Sequence, residues 1–420
     1  MTFASNLFLT GELQKNAFQS ALDDALLLHP LLHAIVKPVK QGKPCWVASK
    51  QPPVVDWGGI DDPIQLHEAI DLRSETGLRI WVRTGNGKSR IIFQFHHASS
   101  DGTGAHRFIG DVLAGYGIRT CDDRRHPEIA EYDSNLLRAR RSKLCQDITN
   151  PSLFRILKSR IGHAMQVFAP KIAPLRLNGK STSDAEPVPD AIPAVVSHLF
   201  DREQHNRLRQ SASCQGVMLN DLLMAELFHT MRWWNVEHGA ADKGRLRIMM
   251  PSDMRDKECF AMSAANMTSY NFITRKMTEC DDERSLLKGL RNEIAQIKHH
   301  DLGHQFIDSI MAARNFPWLL PLLLGSRRCL STITMSHMGD PTKRFLATFP
   351  REKGKLVCGD VVLDKMIGVS PLRPQTRAAV SVVTMYRQLM INVRLDPHTM
   401  SLQDSRQFLD YYVERLQQHI

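Results

Sequence analysis

The sequence predicts an α/β protein built from two similar-sized halves. Its 420 residues suffice for large cores and suit two halves with a shared interface. In both halves, segments that alternate polar and apolar residues, typical of strands, lie between segments with apolar residues at helical spacing. A stretch rich in proline and small polar residues, 170–193, separates the halves and predicts a linker. We therefore expect lobes at 1–172 and 195–420, joined by 173–194.

The predicted elements of the first half lead to one strand-to-helix junction. They are a strand at 7–13, a helix at 13–28, strands at 35–39 and 45–48 around Gly42-Lys43, hairpin strands at 79–83 and 90–96, and a basic helical region at 135–168. Asn86-Gly87, between the hairpin strands, is a strong hairpin signal. The hairpin therefore delivers whatever follows residue 96 to the end of a sheet.

The second half alternates in the same way. Its predicted elements are a strand from 195, helices at 202–211 and 217–234, strands at 246–250, 332–336, 361–367, 379–384 and 389–395, and a terminal amphipathic helix at 402–416. Tyr386-Arg387 is expected to turn the last two strands into a hairpin.

The best indication of function lies at the junction that follows the strand 90–96. His96 and His97 end this strand, and apolar residues at helical spacing follow from Phe108. Asp101 or Thr103 is placed to cap the helix, while Gly102 is expected to allow a tight turn.

A histidine at a strand end is suited to general base chemistry, because its ordinary pKa near 6.5 lets it exchange protons at neutral pH. His97 is our candidate base. We expect His96 to pack and Asp101 to brace the turn through a hydrogen bond or an ion pair. Two histidines near an aspartate are by themselves weak evidence, since most histidines are structural; the strand-turn-helix context strengthens the hypothesis.

The residues His96-His97-Ala98-Ser99-Ser100-Asp101-Gly102 resemble the HHxxxDG motif of the coenzyme A-dependent acyltransferase superfamily at all seven positions. This superfamily includes chloramphenicol acetyltransferase, plant alcohol acyltransferases, wax ester synthases and nonribosomal peptide condensation domains. The resemblance implies two chloramphenicol acetyltransferase-like lobes, each a mixed β-sheet flanked by helices, with a channel between them. It also implies that His97 is the general base and that Asp101 points away from the substrate and holds the shape of the site.

Fainter resemblances extend over nearly the whole chain. The opening, including His29-Pro30, is similar to that of the same family, and we expect His29 to be structural. A strand with Pro251, then Arg255, then Ala265-Asn266 resembles a family landmark. A buried carboxylate needs a charge partner or several donors. Arg255 is therefore the expected partner of Asp101, a surface arginine in a turn being the alternative.

Ser336 precedes a turn that resembles the family's Ser-Asn-x-Gly, with His337 in place of the asparagine. Ser336 is a possible channel or oxyanion contact, and capping the turn is its alternative role. The DFGWG signature of the plant branch is absent, which disfavours that branch.

The resemblance implies an acyltransferase of secondary metabolism that moves an acyl group from a thioester to a hydroxyl or amine of a small-molecule acceptor. The co-substrate is expected to be acyl-CoA or the phosphopantetheine of an acyl carrier protein, with no permanently bound cofactor and no metal. Two alternatives remain at this point. One is a condensation-type enzyme that forms amides from carrier-bound substrates, and the other is a non-catalytic binding protein that retains the fold.

The charge balance favours anionic partners without choosing among them. The net charge is +10, but the basic patches at 124–125 and 138–143 lack a nucleic-acid motif and interleaved aromatics, so no nucleic-acid partner is expected. The eight cysteines show no CxxC spacing, and they are predicted to be reduced and mostly structural. His299, His300 and His304 have no defensible metal-ligand spacing, and solvated helix is the preferred interpretation.

Targeting signals are not apparent in the sequence. The first residues lack a basic start and an apolar core, so a cytoplasmic location is expected. The longest apolar run, 316–324, is interrupted by Pro317 and Pro321 and is too short to span a bilayer. It is expected to be buried or to dock on a surface, with peripheral membrane contact as a minority alternative.

Overall fold

The structure is a computed structural model of the chain. It describes residues 1–38, 44–64, 69–121, 127, 129–144, 167–178, 195–299, 303–313, 325, 328–344, 348–373 and 375–420. The predicted turn at Gly42-Lys43, residues 145–166 of the predicted helical region at 135–168, and the apolar run at 316–324 lie outside these residues.

Strands and helices alternate along the described chain. The strands are β1 (Thr2–Thr10), β2 (Ala34–Lys37), β3 (Cys45–Ala48), β4 (Val54–Gly59), β5 (Leu78–Gly85), β6 (Lys88–His96), β7 (Val195–Phe200), β8 (Arg245–Asp253), β9 (Thr268–Lys276), β10 (Ile333–Gly339), β11 (Arg351–Glu352), β12 (Lys355–Cys358), β13 (Val361–Val369), β14 (Ala378–Met385) and β15 (Gln388–Leu395). The α-helices are α1 (Lys15–Leu28), α2 (Gly102–Thr120), α3 (Ser134–Leu144), α4 (Arg202–Cys214), α5 (Leu219–Glu237), α6 (Glu283–His299), α7 (His304–Ala313), α8 (Pro341–Arg344) and α9 (Leu402–Gln417).

Two large mixed sheets organise the molecule, as the resemblance implied. The first has the strand order β11-β12-β13-β1-β6-β5-β4, and the second has the order β7-β15-β14-β10-β8-β9. β4 runs parallel to β5, and β10 runs parallel to both β8 and β14, while the other described pairs are antiparallel. Helices cover each sheet, so the chain forms two α/β lobes.

Each lobe has its own apolar core. In the first lobe, Phe93 and Phe95 of β6 pack with Phe18 of α1 and Phe108 of α2. In the second lobe, helices α5 and α9 bury residues such as Trp234 and Phe408, which lie 5.7 Å apart between ring centroids, against the other sheet. Burial of apolar surface on this scale is the main contribution to the stability of each lobe.

The two sheets do not divide the chain at one point. Strands β11 to β13 follow the second half's first strands in sequence, yet they complete the first sheet, where β13 pairs with β1. The hydroxyl of Ser381 on β14 also donates to the carbonyl of Gly368 on β13 at 2.6 Å. The two lobes are thus connected by chain segments that pass from one sheet to the other and by a buried hydrogen bond.

The described part of the predicted linker packs on the second lobe. Ala173 donates to the carbonyl of Arg245, and Leu175 lies fully buried in the second core. Residues 179–194 lie outside the described residues. The boundaries 1–172, 173–194 and 195–420 therefore stay a prediction.

Element prediction was least accurate at strand ends and for polar strands. β1 begins at Thr2 rather than at residue 7, and it ends at Thr10 because Gly11 takes a φ of +103°, which leaves the extended region. β4, β9, β11 and β12 were not predicted. In β9 the buried positions include Ser269 and Asn271, so the strand lacks a clear apolar face.

No disulfide joins the seven cysteines within the described residues. Burial raises the pKa of Cys329 to about 11 and that of Cys280 to about 12, so these thiols are weak nucleophiles at neutral pH. Within the described ranges, no helix combines the length and apolar character needed to cross a membrane.

Candidate active site between the lobes

The pairing of β1 with β6 ends at the two motif histidines, His96 and His97. Thr2 lies opposite His96, and the ladder continues one step further where His97 N–H donates to the carbonyl of Met1 at 3.0 Å. Phe3 stacks on Phe95 with ring centroids 5.2 Å apart and meets the His97 ring edge-on at 5.4 Å. The position of His97 is therefore set by the strand pair and by an aromatic neighbour.

Asp101 caps helix α2. Its backbone is extended, and its Oδ1 accepts a hydrogen bond from Gly104 N–H at 2.8 Å. Gly102 does not have a positive φ, so a tight turn is not the reason for glycine here. A Cβ at Gly102 would meet only Met338, at 3.9 Å from its Cε. The glycine instead leaves space beside the motif.

The Asp101 carboxylate is buried and fully engaged. It is 2% exposed and accepts from both Arg255 terminal nitrogens at 2.9 and 3.0 Å. It also accepts from Met267 N–H at 2.7 Å and from the Thr268 hydroxyl at 3.2 Å. Burial alone would raise the pKa of Asp101, but Arg255 and the other donors outweigh it and lower the pKa below its ordinary value.

The structure thus brings Asp101 and Arg255 together across the lobes as a bidentate ion pair. Arg255 also donates to Asp253 at 2.9 Å and to the carbonyl of Ala265 at 2.8 Å. The same carbonyl accepts from Asp101 N–H at 3.2 Å. The segment 262–267 of the second lobe is therefore held against the start of α2.

His29 secures the same segment from the other side. Its Nδ1 accepts from Ala264 N–H at 2.8 Å, so the ring proton lies on Nε2, which donates to Asp111 at 2.8 Å. Tyr132 donates to the same Asp111 oxygen at 2.6 Å. His29 is fully buried, which fits the structural role expected from the sequence.

Gly104 is a structural requirement that the sequence reasoning missed. A Cβ at this position would lie 2.6 Å from Ser100 Oγ and 3.0 Å from the backbone N and O of Ala265, closer than packing allows. We expect Gly104→Ala to destabilise the protein by about 1–3 kcal/mol through overpacking between the lobes. Gly289→Ala in α6 is the control, because its Cβ would meet only Arg275 at 3.6 Å. Chemical denaturation of both variants tests this, and equal unfolding midpoints would contradict it.

A pocket lies between the lobes beside the motif. Its empty volume is about 630 Å³, including the part open to solvent. His97 and Gly102 line it from the first lobe, and Ser336 on β10 lines it from the second lobe. Asp101 and Arg255 are not among its lining residues. The geometry therefore separates a histidine that faces the pocket from an ion pair that lies behind it.

Both motif histidines favour the neutral form. Burial lowers the pKa of His97 below its ordinary value, although the Asp101 charge opposes this effect. Burial, with positive neighbours, lowers the pKa of His96 to about 4. His96 Nδ1 accepts from Ala98 N–H at 3.1 Å, so this ring holds the turn. His97 is thus a neutral imidazole at pH 7, able to accept a proton.

Ser336 and His337, at the end of β10, face different surroundings. Ser336 faces the pocket, whereas the His337 ring bonds to Asn220 of α5 at 3.1 Å and is not among the lining residues. A hydroxyl is therefore the polar group that this turn presents to the pocket.

Further lining residues were not identified from sequence. They include Thr268 and Tyr270 from β9, Thr334 from β10, and Arg373 from the connection between β13 and β14. The short alternation Ser269-Tyr270-Asn271-Phe272 was the local signal for a strand at Tyr270. Among the described residues, no group of three or more metal-ligating side chains could hold a metal ion.

Comparisons with known proteins identify the fold. No family model matches the chain. Two curated relatives, the uncharacterized proteins Rv2305 and MT2362 of two Mycobacterium tuberculosis strains, are 23% identical over 261 residues. The match covers 60% of this chain and 56% of each relative, so it spans little more than half of their length.

Solved structures match over almost the entire chain. The first condensation domain of the calcium-dependent antibiotic synthetase, in complex with a substrate analogue, gives a TM-score of 0.69 at 15% identity, covering 100% of this chain and 91% of that domain. TRI3 trichothecene 15-O-acetyltransferase from Fusarium sporotrichioides gives 0.71 at 12% identity, covering 100% and 90%. Polyketide synthase associated protein 5 from Mycobacterium tuberculosis gives 0.63 at 14% identity, covering 99% and 93%.

Proposed function

We propose that this chain, which has the two-lobe fold of condensation domains and chloramphenicol acetyltransferase-like acyltransferases, transfers an acyl group from a thioester to a small-molecule acceptor. The donor is acyl-CoA or an acyl carrier protein, the acceptor offers a hydroxyl or an amine, and the reaction takes place in the cytoplasm. The observation that carries the proposal is the placement of His97 as a neutral imidazole at the wall of the interlobe pocket. Neighbours with this fold include an acetyltransferase and a condensation domain, which supports acyl or amide-forming transfer in general.

In the proposed reaction, His97 removes the proton of the acceptor as the acceptor oxygen or nitrogen attacks the thioester carbonyl. A neutral imidazole keeps one ring nitrogen unprotonated, and this nitrogen accepts the proton. The carbonyl electron pair moves to oxygen and forms a tetrahedral oxyanion.

Collapse of the oxyanion expels the thiolate and completes the ester or amide. A thiolate leaves readily because the pKa of a thiol is about 8.5, far below that of an alcohol. The proton held by His97 then passes to the thiolate, which restores the base. The Ser336 hydroxyl, which faces the same pocket, is our candidate donor to the oxyanion. The reaction as written uses no metal and no permanently bound cofactor.

We assign Asp101 and Arg255 to positioning rather than to proton transfer. The Asp101 carboxylate accepts hydrogen bonds from Arg255 and from Gly104 N–H in α2. It also accepts from Met267 N–H and from the Thr268 hydroxyl in the second lobe. A carboxylate held in this way fixes the start of α2 and so the direction in which His97 faces. His96 and Gly102 support the site by holding the turn and by leaving space beside it.

An amide-forming condensation reaction on carrier-bound substrates is the second candidate function. The likeness to a condensation domain favours it, and His97 would serve the same purpose with an amine acceptor. A non-catalytic binding protein is the third, and the intact His97 and Asp101 argue against it.

The test is direct. The protein is incubated with a panel of acyl-CoAs and acyl carrier proteins together with alcohols, free amines and aminoacyl carrier proteins, and the products are identified by mass spectrometry. Release of free thiol is followed in parallel against a protein-only blank, because the chain contributes eight cysteines of its own. We expect acceptor-dependent product with at least one donor. Thioester hydrolysis alone, or no reaction with any pair, would contradict the proposal.

The pH dependence of the reaction should follow His97. Because its pKa is lowered in the folded protein, its base form persists below pH 6.5. We expect kcat/KM to rise with pH to a plateau, with the midpoint of the acid limb below pH 6.5. Initial rates from pH 4.5 to 8.5 at constant ionic strength measure this. A midpoint above pH 7 would show that another group, or a different state of His97, limits the rate.

A further inference from the structure

We propose that Arg373, with the hydroxyls of Tyr270 and Thr334, binds a carboxylate carried by the acceptor. The inference rests on the proposed function, and it specifies the acceptor class. The acceptor would have a hydroxyl or an amine for His97, a compact apolar body and a carboxylate.

Two strands and one connection bring these groups to the pocket that His97 lines. Tyr270 lies on β9 and Thr334 on β10, while Arg373 lies in the connection that leads from β13 to β14. The backbone around Arg373 is ordered by the Thr376 N–H, which donates to the Arg373 carbonyl at 3.0 Å. Arg373 therefore lies in a connection that carries a backbone hydrogen bond rather than in a strand.

None of the three polar groups has a hydrogen-bond partner within the described parts of the chain. The guanidinium of Arg373 makes neither a hydrogen bond nor an ion pair there, although its residue is only partly exposed. Thr334 Oγ1 is buried without a partner, and the hydroxyl of Tyr270 has none either. Thr334 Oγ1 is the buried one of the three, and leaving a buried polar group unsatisfied is costly. Its convergence with the guanidinium and the phenol hydroxyl on one pocket therefore indicates a ligand that satisfies them.

Other arginines in the molecule show the contrast. Arg247 is buried, and its guanidinium donates to the carbonyl of Val167 at 2.6 Å and to the hydroxyl of Thr274 at 2.8 Å. The guanidinium of Arg255 donates to both carboxylate oxygens of Asp101. Arg373 lies in a connection and is partly exposed, and its guanidinium lacks such a counterpart among the described residues.

The electrostatics of the pocket suit an anion. Burial lowers the pKa of Arg373 because the guanidinium loses part of its hydration, and a bound anion would compensate for this loss. Burial raises the pKa of Tyr270, so its hydroxyl stays protonated and can donate. No Asp or Glu is among the described lining residues to compete for the guanidinium.

The rest of the lining sets the character of the acceptor body. Phe3, Met249, Met338 and Val369 present apolar surface between His97 and the other walls. A carboxylate matches the planar fork of an arginine through two parallel hydrogen bonds. The phosphates of coenzyme A carry more charge, and they would call for several cations, whereas the described lining offers one arginine. We therefore assign the anion to the acceptor.

The experiment measures binding without turnover. Isothermal titration calorimetry compares 2-hydroxy-4-methylpentanoate, 3-hydroxyoctanoate and 4-(hydroxymethyl)benzoate with their neutral primary amides and with coenzyme A. The variants are Arg373→Gln, Arg373→Lys, Tyr270→Phe and, as the matched charge control, Arg291→Gln on the exposed surface of α6. Circular dichroism and thermal melts establish that each variant is folded.

We expect wild type to bind at least one acid roughly 10- to 100-fold more tightly than its amide, the range of a charge-assisted hydrogen-bond pair. Arg373→Gln should abolish this preference, Tyr270→Phe should reduce it, and Arg291→Gln should keep it. No acid preference in wild type, or an unchanged preference in Arg373→Gln, would overturn the inference. A loss of coenzyme A binding alone in Arg373→Gln would place the anion on the donor and overturn it as well.

The same titrations separate this inference from the proposed function. Acids that bind through Arg373 without any acyl transfer would leave the anion site standing and refute the reaction. Acyl transfer to acceptors irrespective of a carboxylate would support the reaction and refute the anion site.

Discussion

Replacement of His97 by alanine is expected to lower kcat/KM for acyl transfer by about 10²- to 10⁴-fold, the usual contribution of a positioned general base. The imidazole faces the interlobe pocket, and its lowered pKa keeps it ready to accept a proton at pH 7. Without it, the acceptor must lose its proton to water while it attacks the thioester. The loss should fall on kcat, because the ring contributes little to substrate binding.

The measurement is the steady-state rate of product formation with the best donor and acceptor pair, determined over the full pH range. In His97→Ala the acid limb of the profile should disappear together with most of the rate, a change that a merely loosened site would not produce. His33→Ala, in the turn Pro30–His33 outside the pocket, is the matched control and should retain wild-type kinetics. Full activity in His97→Ala would refute the proposed base.

Asp101→Asn is expected to destabilise the protein by about 3–5 kcal/mol, the cost of removing one partner of a buried ion pair. The change leaves Arg255 buried with reduced compensation, since its side chain is 3% exposed. It also puts an amide N–H₂ where Gly104 and Met267 both point N–H groups at carboxylate oxygens. At least one of these donors must lose its acceptor.

Chemical denaturation measures the effect, and Asp201→Asn is the matched control. Asp201 caps α4 at an exposed position, and asparagine caps a helix about as well as aspartate, so this variant should unfold like wild type. If Asp101→Asn shifted the midpoint no more than Asp201→Asn, the structural role of the Asp101–Arg255 pair would be wrong.

The pH dependence of this stability difference has a definite sign. The pKa of Asp101 is lower in the folded protein than its ordinary value of 3.8, so its stabilisation is present above that value. It is lost as the pH falls through the lower, folded-state pKa. The advantage of wild type over Asp101→Asn should therefore be constant from pH 5 to 7 and shrink in strong acid.

The motif itself could be predicted because its information is local. Alternation in β6, the capping aspartate and the helical spacing after it lie within a few residues of one another. The structure places His97 directly after β6 and Asp101 at the N-cap of α2. The pairing of Asp101 with Arg255, 154 residues away, was a reasonable prediction because a buried carboxylate demands a cation. The need of a buried carboxylate for a cation and the family resemblance together identified Arg255 as the partner of Asp101.

The walls of the pocket could not be predicted because they depend on which distant strands meet. Tyr270 and Arg373 become neighbours of His97 only after β9, β10 and β13 take their places, and nothing near either residue in sequence marks it. Gly104 shows the same limit. Its requirement for glycine comes from the backbone of Ala265 in the other lobe, a contact that no local pattern records.

The crossing of β13 into the first sheet has a consequence for the order in which the protein folds. Ala4 pairs with Val369, so during synthesis β1 waits for a partner strand that is made much later. Contacts of such sequence separation slow folding and leave strand edges open to aggregation. Until β13 arrives, β1 is an unprotected edge beside the nascent histidine pair. Residues 1–172 produced alone should therefore aggregate, and co-expression with 195–420 should rescue them.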